Sequence, residues 1–248
     1  MKNSELEQLI NDKLNSAAIS DFAPNGLQVE GRDTVHKIVT GVTASQALLD
    51  EAVRLQADAV IVHHGYFWKN ESPVIRGMKR RRLKTLLAND INLYGWHLPL
   101  DAHPELGNNA QLGARLGVRG QAAFGEQNLG WLADVDFADA AALAGHVQSV
   151  LGRKVTLAGA QERRPIRKLA WCTGGAQGFF ESAIAAGADA YITGEISEPQ
   201  MHLAREMGVS FIAAGHHATE RYGAPAVAAH VARECGLEHC FIDIDNPA

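Results

Sequence analysis

Two consecutive histidines close a short apolar run in the first third of the chain, Ala-Asp-Ala-Val-Ile-Val-His63-His64-Gly65. A few apolar, β-branched residues followed by glycine predict a buried strand that gives way to a loop at the histidines. A lone histidine would be interpreted as packed or exposed. Neighbouring strand side chains, however, point to opposite faces of a sheet, so these two imidazoles cannot both enter one core. Because open α/β sheets bind ligands at such strand ends, we expect the pair to have binding partners.

The surrounding pattern is typical of an α/β fold. Residues 38–42 read as a strand, 45–55 as a helix and 58–62 as the strand that carries the histidines, which together make a βαβ unit with a parallel pair. A basic helix from Met78 to Asn89 and a strand from Ile91 to Gly95 follow.

That next strand also ends in residues that carry chemistry, His97 and Asp101. Pro99 lies between them and argues against a helix, so we expect both side chains on a loop at the end of the strand.

A related pattern recurs after Arg167. Residues 168–196 align without gaps with residues 37–65, although with low identity, and a strand over 209–213 is followed by Gly-His216-His217-Ala-Thr-Glu220. A histidine with a carboxylate four residues later therefore appears in both halves. We infer two related α/β halves whose strand ends converge on one site. In this alignment Glu195 takes the place of His64, which makes it a candidate site residue, although a surface glutamate is equally consistent.

Imidazole and carboxylate side chains without cysteine suit divalent zinc, manganese, iron or cobalt. The candidates are His63, His64, His97, Asp101, His216 and Glu220. Because this set exceeds the three protein ligands of a typical catalytic zinc, it predicts a dinuclear site. Two such ions would hold a water molecule and lower the pKa of that water. The three cysteines, Cys172, Cys235 and Cys240, are an odd number without a CxxC motif, and we expect them to be buried small apolar residues.

Bulk properties limit the classes of partner. The 248 residues carry a formal net charge of -5, which gives no general attraction to nucleic acid or anionic membranes. The amino terminus lacks an apolar signal core, and no run is long enough to span a membrane, so a cytoplasmic location is expected.

Several motifs together resemble the Nif-three-like family, also called the GTP cyclohydrolase I type 2 family, and in particular its bacterial YbgI-type members. They are the Asn25-Gly-Leu-Gln-Val element, the His63-His64 pair, Gly-Trp-His97 with Asp101, Gly-Asn108-Asn109, and Gly-His216-His217-Ala-Thr-Glu220. The resemblance spans nearly the whole chain. Two departures affect loops only, namely Gly65 where many members have proline, and Ala23-Pro24 where an acidic residue is common.

The resemblance implies metal ligands at His63, His64, Asp101, His216 and Glu220, with Glu220 bridging two divalent ions. His97 would be a proton donor or substrate contact, and the chain would form a ring-shaped homohexamer. The implied fold is α/β, with two similar, pseudo-symmetric domains, each a mixed sheet flanked by helices, and the dinuclear site between them. The expected ranges are 1–126, completed by a strand within 240–248, and 127–239.

The preferred functional hypothesis is a hydrolase that attacks a nucleotide-like or related heterocyclic small molecule with metal-bound hydroxide. Neither a P-loop nor a purine-recognition motif supports GTP itself. The alternative is a non-catalytic scaffold, metallochaperone or nucleic-acid-associated ring, motivated by the basic run Lys79–Lys84. A solvated helix face explains that run better. The aromatic loop after the histidines has two possible roles: it would stack on a flat substrate, or it would cover a core or a subunit interface (Tyr66, Phe67 and Trp68). His217 would either orient Glu220 or be a simple neighbour of it.

Overall fold

A computed structural model describes residues 1–159 and 164–248 of the chain. The helices, in chain order, are α1 (Asn3–Leu14), α2 (Gln46–Arg54), α3 (Gly77–Ala88), α4 (Leu98–Ala102), α5 (Asn108–Arg115), α6 (Ala140–Leu151), α7 (Phe180–Ala185), α8 (Glu198–Met207), α9 (His216–Glu220) and α10 (Gly223–Cys235). The strands are β1 (Gly26–Val29), β2 (Lys37–Thr43), β3 (Ala59–His64), β4 (Asn92–Gly95), β5 (Ala122–Phe124), β6 (Gly130–Phe137), β7 (Thr156–Ala158), β8 (Ile166–Trp171), β9 (Ala190–Thr193), β10 (Ser210–Ala213) and β11 (Glu238–Phe241).

The chain divides into two compact units, each with its own sheet. The first comprises Met1–Gly107 and Arg221–Asp245, and the second comprises Asn108–Glu220 and Asn246–Ala248. These units differ from the ranges expected from the sequence, because α5 joins the second unit and α10 returns to the first.

The first unit contains a five-stranded sheet in the order β1-β4-β3-β2-β11. Strands β2, β3 and β4 run parallel, β11 is parallel to β2, and β1 is antiparallel to β4. The predicted βαβ unit is confirmed by the parallel register that pairs Thr43 with His64. Because the inner strands are buried on both faces, β3 is apolar along nearly its whole length, with only His64 partly exposed.

Helices cover both faces of this sheet. On one face, α1 and α10 contribute Leu6, Ile10, Val227 and Val231 to a buried cluster; on the other, α2 and α3 contribute Leu48, Leu49, Leu83 and Leu86 to a second cluster. Burial of these apolar faces is the main stabilising contribution to such a layered unit. The apolar face of α10 therefore explains why this late segment belongs to the first unit.

The second unit contains a six-stranded sheet in the order β5-β6-β8-β9-β10-β7. Strands β8, β9 and β10 are parallel, and β7 lies antiparallel along β10. Strands β6 and β5 extend the other side as an antiparallel pair. Both units thus contain a mixed sheet in which an antiparallel strand, β1 or β7, lies beside a run of parallel strands. The sequence predicted two related α/β halves.

Two further observations qualify the sequence-based expectations. The loop expected around His97 and Asp101 is wrong, because Leu98–Ala102 form the short helix α4 with Pro99 in its first turn, where proline is tolerated. Among residues 1–159 and 164–248, no helix combines the length and apolar character that crossing a bilayer requires.

Candidate functional site

His63 and His64 lie at the carboxyl end of β3, as the sequence predicts. His63 is almost fully buried, and its Nδ1 donates to the backbone carbonyl of Trp96 over 3.0 Å. The Nδ1 of His64 lies 3.2 Å from the hydroxyl of Thr43, its register partner on β2. A carbonyl can only accept, so Nδ1 of His63 carries a proton, and Nε2 is the nitrogen that faces Asp101.

His97 precedes α4 and is fixed by a carboxylate that the sequence did not single out. Its Nδ1 lies 2.7 Å from Oδ1 of Asp21, and its backbone N–H donates to the side chain of Asn25 over 2.8 Å. The same carboxylate accepts from the backbone N–H groups of Phe22 and Leu98 at 2.6 and 2.8 Å and from the Asn25 amide at 3.0 Å.

These contacts change the acidity of Asp21. Burial alone would raise its pKa, but the hydrogen bonds to His97 and Asn25, the charge of His97 and the Leu98 N–H outweigh burial and lower the pKa to about 2. The Asp21 side chain is only 3% exposed, so the interaction is little screened by solvent.

The three imidazoles of the first unit form one cluster. The ring centroid of His97 lies 5.0 Å from that of His63 and 5.9 Å from that of His64. One nitrogen of each ring lies within 4.8 Å of the others, a separation that a shared cation can bridge. The edge of Trp68 meets His97 with the ring centroids 4.9 Å apart, and its indole N–H donates to the Gly65 carbonyl.

Asp101 lies on α4, where its carboxylate approaches the same cluster. Its Oδ2 is 3.6 Å from Nε2 of His63, and the Asp101 side chain is 8% exposed. The first unit therefore brings together His63, His64, His97 and Asp101, the four residues that the sequence assigned to this half.

The second unit brings His216 and Glu220 together on α9. Their side chains are one helical turn apart, and Nε2 of His216 lies 3.1 Å from Oε2 of Glu220. The other nitrogen, Nδ1, lies 2.6 Å from Oε1 of Glu195. Burial lowers the pKa of His216, but the hydrogen bonds and charges of Glu220 and Glu195 outweigh it and raise the pKa to about 9.

A glycine shapes the space beside Glu220. Gly174 has φ +69°, and a Cβ at that position would overlap the Glu220 carboxylate. Its backbone N–H donates to the hydroxyl of Thr219 over 2.9 Å, and its carbonyl accepts from Gly194 over 2.8 Å. A residue with a side chain would clash here and would also be strained at this φ.

The structure assigns different places to the other candidates. Tyr66 is buried with its hydroxyl donating to the Ala44 carbonyl, a structural role, while Phe67 is exposed. The backbone N–H of His217 donates to the carbonyl of Ala248. Cys172 is buried, as expected, whereas Cys235 and Cys240 are partly exposed. Sequence reasoning missed Asp21 and could have found it only through the neighbouring Asn25 element.

Comparisons with known proteins give a consistent result. Residues 1–247 match the family described as Duf34/NIF3 (NGG1p interacting factor 3). A Salmonella typhimurium protein named GTP cyclohydrolase 1 type 2 homolog is 65% identical over 248 residues, which cover 100% of both chains. The solved structure of protein ybgI, described as of unknown function, has a TM-score of 0.96 at 63% identity, covering 100% of both chains. A solved Thermus thermophilus protein has a TM-score of 0.86 at 32% identity, again over 100% of both chains.

Proposed function

The chain belongs to the Duf34/NIF3 family, and we propose that it is a metal-dependent hydrolase that binds two divalent cations. The residues that would hold the cations are His63, His64, Asp101, His216 and Glu220, and Glu220 would be shared by the two cations. The proposed substrate is a nucleotide-like or related heterocyclic small molecule.

The observation that carries this proposal is the common arrangement of the four imidazoles. Each has its Nδ1 within hydrogen-bonding distance of an oxygen atom, belonging in chain order to Trp96, Thr43, Asp21 and Glu195. An oxygen partner on Nδ1 directs the Nε2 lone pair of a histidine towards a cation and fixes the ring. Four imidazoles held in this way are difficult to explain by packing alone.

The chemistry of the donor set is compatible with the proposed cations. Imidazole nitrogens and carboxylate oxygens suit zinc, manganese, iron and cobalt, and Gly174 keeps the space beside Glu220 clear. When bound, such cations supply Lewis acidity and make water more acidic. His97, held by Asp21 and Asn25, would contact the substrate or deliver a proton from Nε2, and the Trp68 ring would limit how the substrate approaches it.

Metal analysis is the first test. Protein purified without chelator is analysed for metal content, and the stripped protein is titrated with Mn²⁺, Co²⁺ and Zn²⁺ by calorimetry. We expect two cations per chain in wild type and a loss of affinity in His64→Ala. His202→Ala, which removes an exposed imidazole from α8, is the matched control and should bind like wild type. A stoichiometry of one or none would refute the dinuclear proposal.

A substrate screen at full metal occupancy is the second test. Because related proteins bear the name GTP cyclohydrolase 1 type 2 homolog, GTP is the first compound to assay, followed by other nucleotides and heterocyclic amides. We expect turnover that is lost in His64→Ala and reduced in His97→Ala. Activity that survives in a His64→Ala protein with impaired metal binding would exclude this mechanism.

Assembly into a homohexameric ring is also proposed, on family membership. The exposed apolar side chains Val74, Ile75 and Met78 support an oligomer interface on the first unit, because such side chains are unfavourable in water. Light scattering on the purified protein tests it. Nucleic-acid binding by α3 is less well supported, since Lys79 already pairs with Glu71 at 3.2 Å.

A further inference from the structure

Glu195 follows the end of β9, beside the residues that lead into α9. Strands β9 and β10 are parallel, and their pairing continues beyond both strands. The Ala214 N–H donates to the Thr193 carbonyl over 2.8 Å, and the Gly215 N–H donates to the Gly194 carbonyl over 2.9 Å. The backbone before Glu195 is thereby fixed next to the backbone before His216.

Gly194 makes this close approach possible. A Cβ at Gly194 would lie 2.5 Å from Cα of His216 and 2.6 Å from the Gly174 carbonyl oxygen, which is closer than real side chains come. Only glycine allows the two chain segments to lie this near each other, so the position of Glu195 relative to His216 is set by the backbone.

The carboxylate of Glu195 is itself held in place. Its Oε1 lies 2.6 Å from Nδ1 of His216, and its Oε2 accepts from the side-chain amide of Gln177 over 3.3 Å. Gln177 therefore restrains one oxygen while the other contacts the imidazole. This leaves Nε2 of His216 facing Glu220, at 3.1 Å from Oε2.

We propose that Glu195 is a positioning residue for metal binding, which fixes the orientation of the His216 ring so that its Nε2 is presented to a cation. This inference rests on the proposed function, because it takes His216 as a ligand. A carboxylate on the second nitrogen of a metal-binding histidine makes it a stronger donor and typically changes metal affinity by about 10- to 100-fold.

The competing explanation is a surface ion pair. The side chains of Glu195 and His216 are 44% and 28% exposed, and exposed ion pairs contribute little to stability. A mere surface pair would affect folding slightly and metal affinity not at all, whereas a positioning carboxylate would affect metal affinity with little change in folding. The two roles therefore differ in their measurable consequences.

The test compares Co²⁺ binding in four proteins by calorimetry and by the visible absorption of the bound ion. They are wild type, Glu195→Ala, Glu195→Gln and, as the matched control, Glu181→Ala, which removes an exposed carboxylate from α7 of the same unit. We expect Glu195→Ala to weaken Co²⁺ binding by about 10- to 100-fold and to alter the absorption spectrum. Glu195→Gln keeps an acceptor for Nδ1 and should recover most of the affinity, while Glu181→Ala should behave as wild type.

Thermal unfolding of the metal-free proteins accompanies these titrations. The inference is overturned if Glu195→Ala binds Co²⁺ as tightly as wild type. It is also overturned if Glu195→Ala and Glu195→Gln lose affinity equally and both unfold at a much lower temperature, because the loss of affinity would then reflect a loss of folding. Failure of wild type to bind Co²⁺ would instead refute the proposed function, so the two failures are distinguishable.

Discussion

Replacing Asp21 with asparagine tests whether its charge, rather than its shape, organises the loop that holds His97. The carboxylate accepts four hydrogen bonds, from two backbone N–H groups, the Asn25 amide and Nδ1 of His97. An asparagine amide has one accepting oxygen, so its NH₂ group would face two of these donors. Neutral asparagine also lacks the attraction to the His97 imidazole.

The expected magnitude follows from the pKa of Asp21, which falls from 3.8 to about 2. A pKa difference of just under two units, at about 1.36 kcal/mol for each pKa unit, corresponds to about 2.5 kcal/mol in the free energy of unfolding. Because the folded pKa is depressed, this stabilisation is fully present above pH 4 and is lost as the pH falls through 2. By pH 3 about 1 kcal/mol of it should be gone.

Urea unfolding of wild type and Asp21→Asn at pH 6 and pH 3 measures this dependence. We expect Asp21→Asn to be less stable by about 2.5 kcal/mol at pH 6, and the difference to shrink by about 1 kcal/mol at pH 3. The control Asp12→Asn removes an exposed carboxylate from α1 and should show a small difference at both values. A difference for Asp21→Asn that is equally large at both pH values would refute the electrostatic explanation.

Three further substitutions have expected outcomes. Gly174→Ala should lower the thermal unfolding temperature and weaken cation binding in calorimetry, because φ is +69° at this position and a Cβ would clash with the Glu220 carboxylate. Leu48→Ala removes a fully buried side chain of α2 and should cost about 2 to 5 kcal/mol in urea unfolding. Asn92→Ala removes an amide that accepts from Gly31 and donates to the carbonyls of Arg32 and Asp58, and should cost about 1 to 3 kcal/mol by the same assay.

The sequence predicted the elements whose signal is local. The apolar run before His63 identified β3, and the alternation of strand and helix around it predicted the parallel pairing with β2. A histidine with a carboxylate four residues later recurs after the corresponding strand of the second half, and this recurrence identified His216 and Glu220. The structure places both on α9, one helical turn apart.

Features that depend on distant segments were not predictable in this way. Asp21 contacts His97 across 76 positions of chain, and a loop aspartate carries no signal of such a partner. The apolar stripe of α10 indicates a buried face without indicating which sheet it covers, so its position in the first unit was missed. Pro99 predicts a break in the helix, but it lies in the first turn of α4, where its missing N–H costs nothing.

The internal repeat gives the contrast between His64 and Glu195 a physical meaning. His64 is the last residue of the inner parallel strand β3, and Glu195 follows the inner parallel strand β9. In each sheet the neighbouring parallel strand leads to the next candidate histidine: β4 precedes His97, and β10 precedes His216. At this shared position the first unit presents an imidazole, whereas the second presents a carboxylate 2.6 Å from the imidazole of the neighbouring strand end. Because Glu195 contacts the second nitrogen of His216, it can fix that histidine, whereas His64 offers an imidazole of its own. We therefore expect His64→Ala to remove a proposed ligand, and Glu195→Ala to weaken cation binding at His216 only in part.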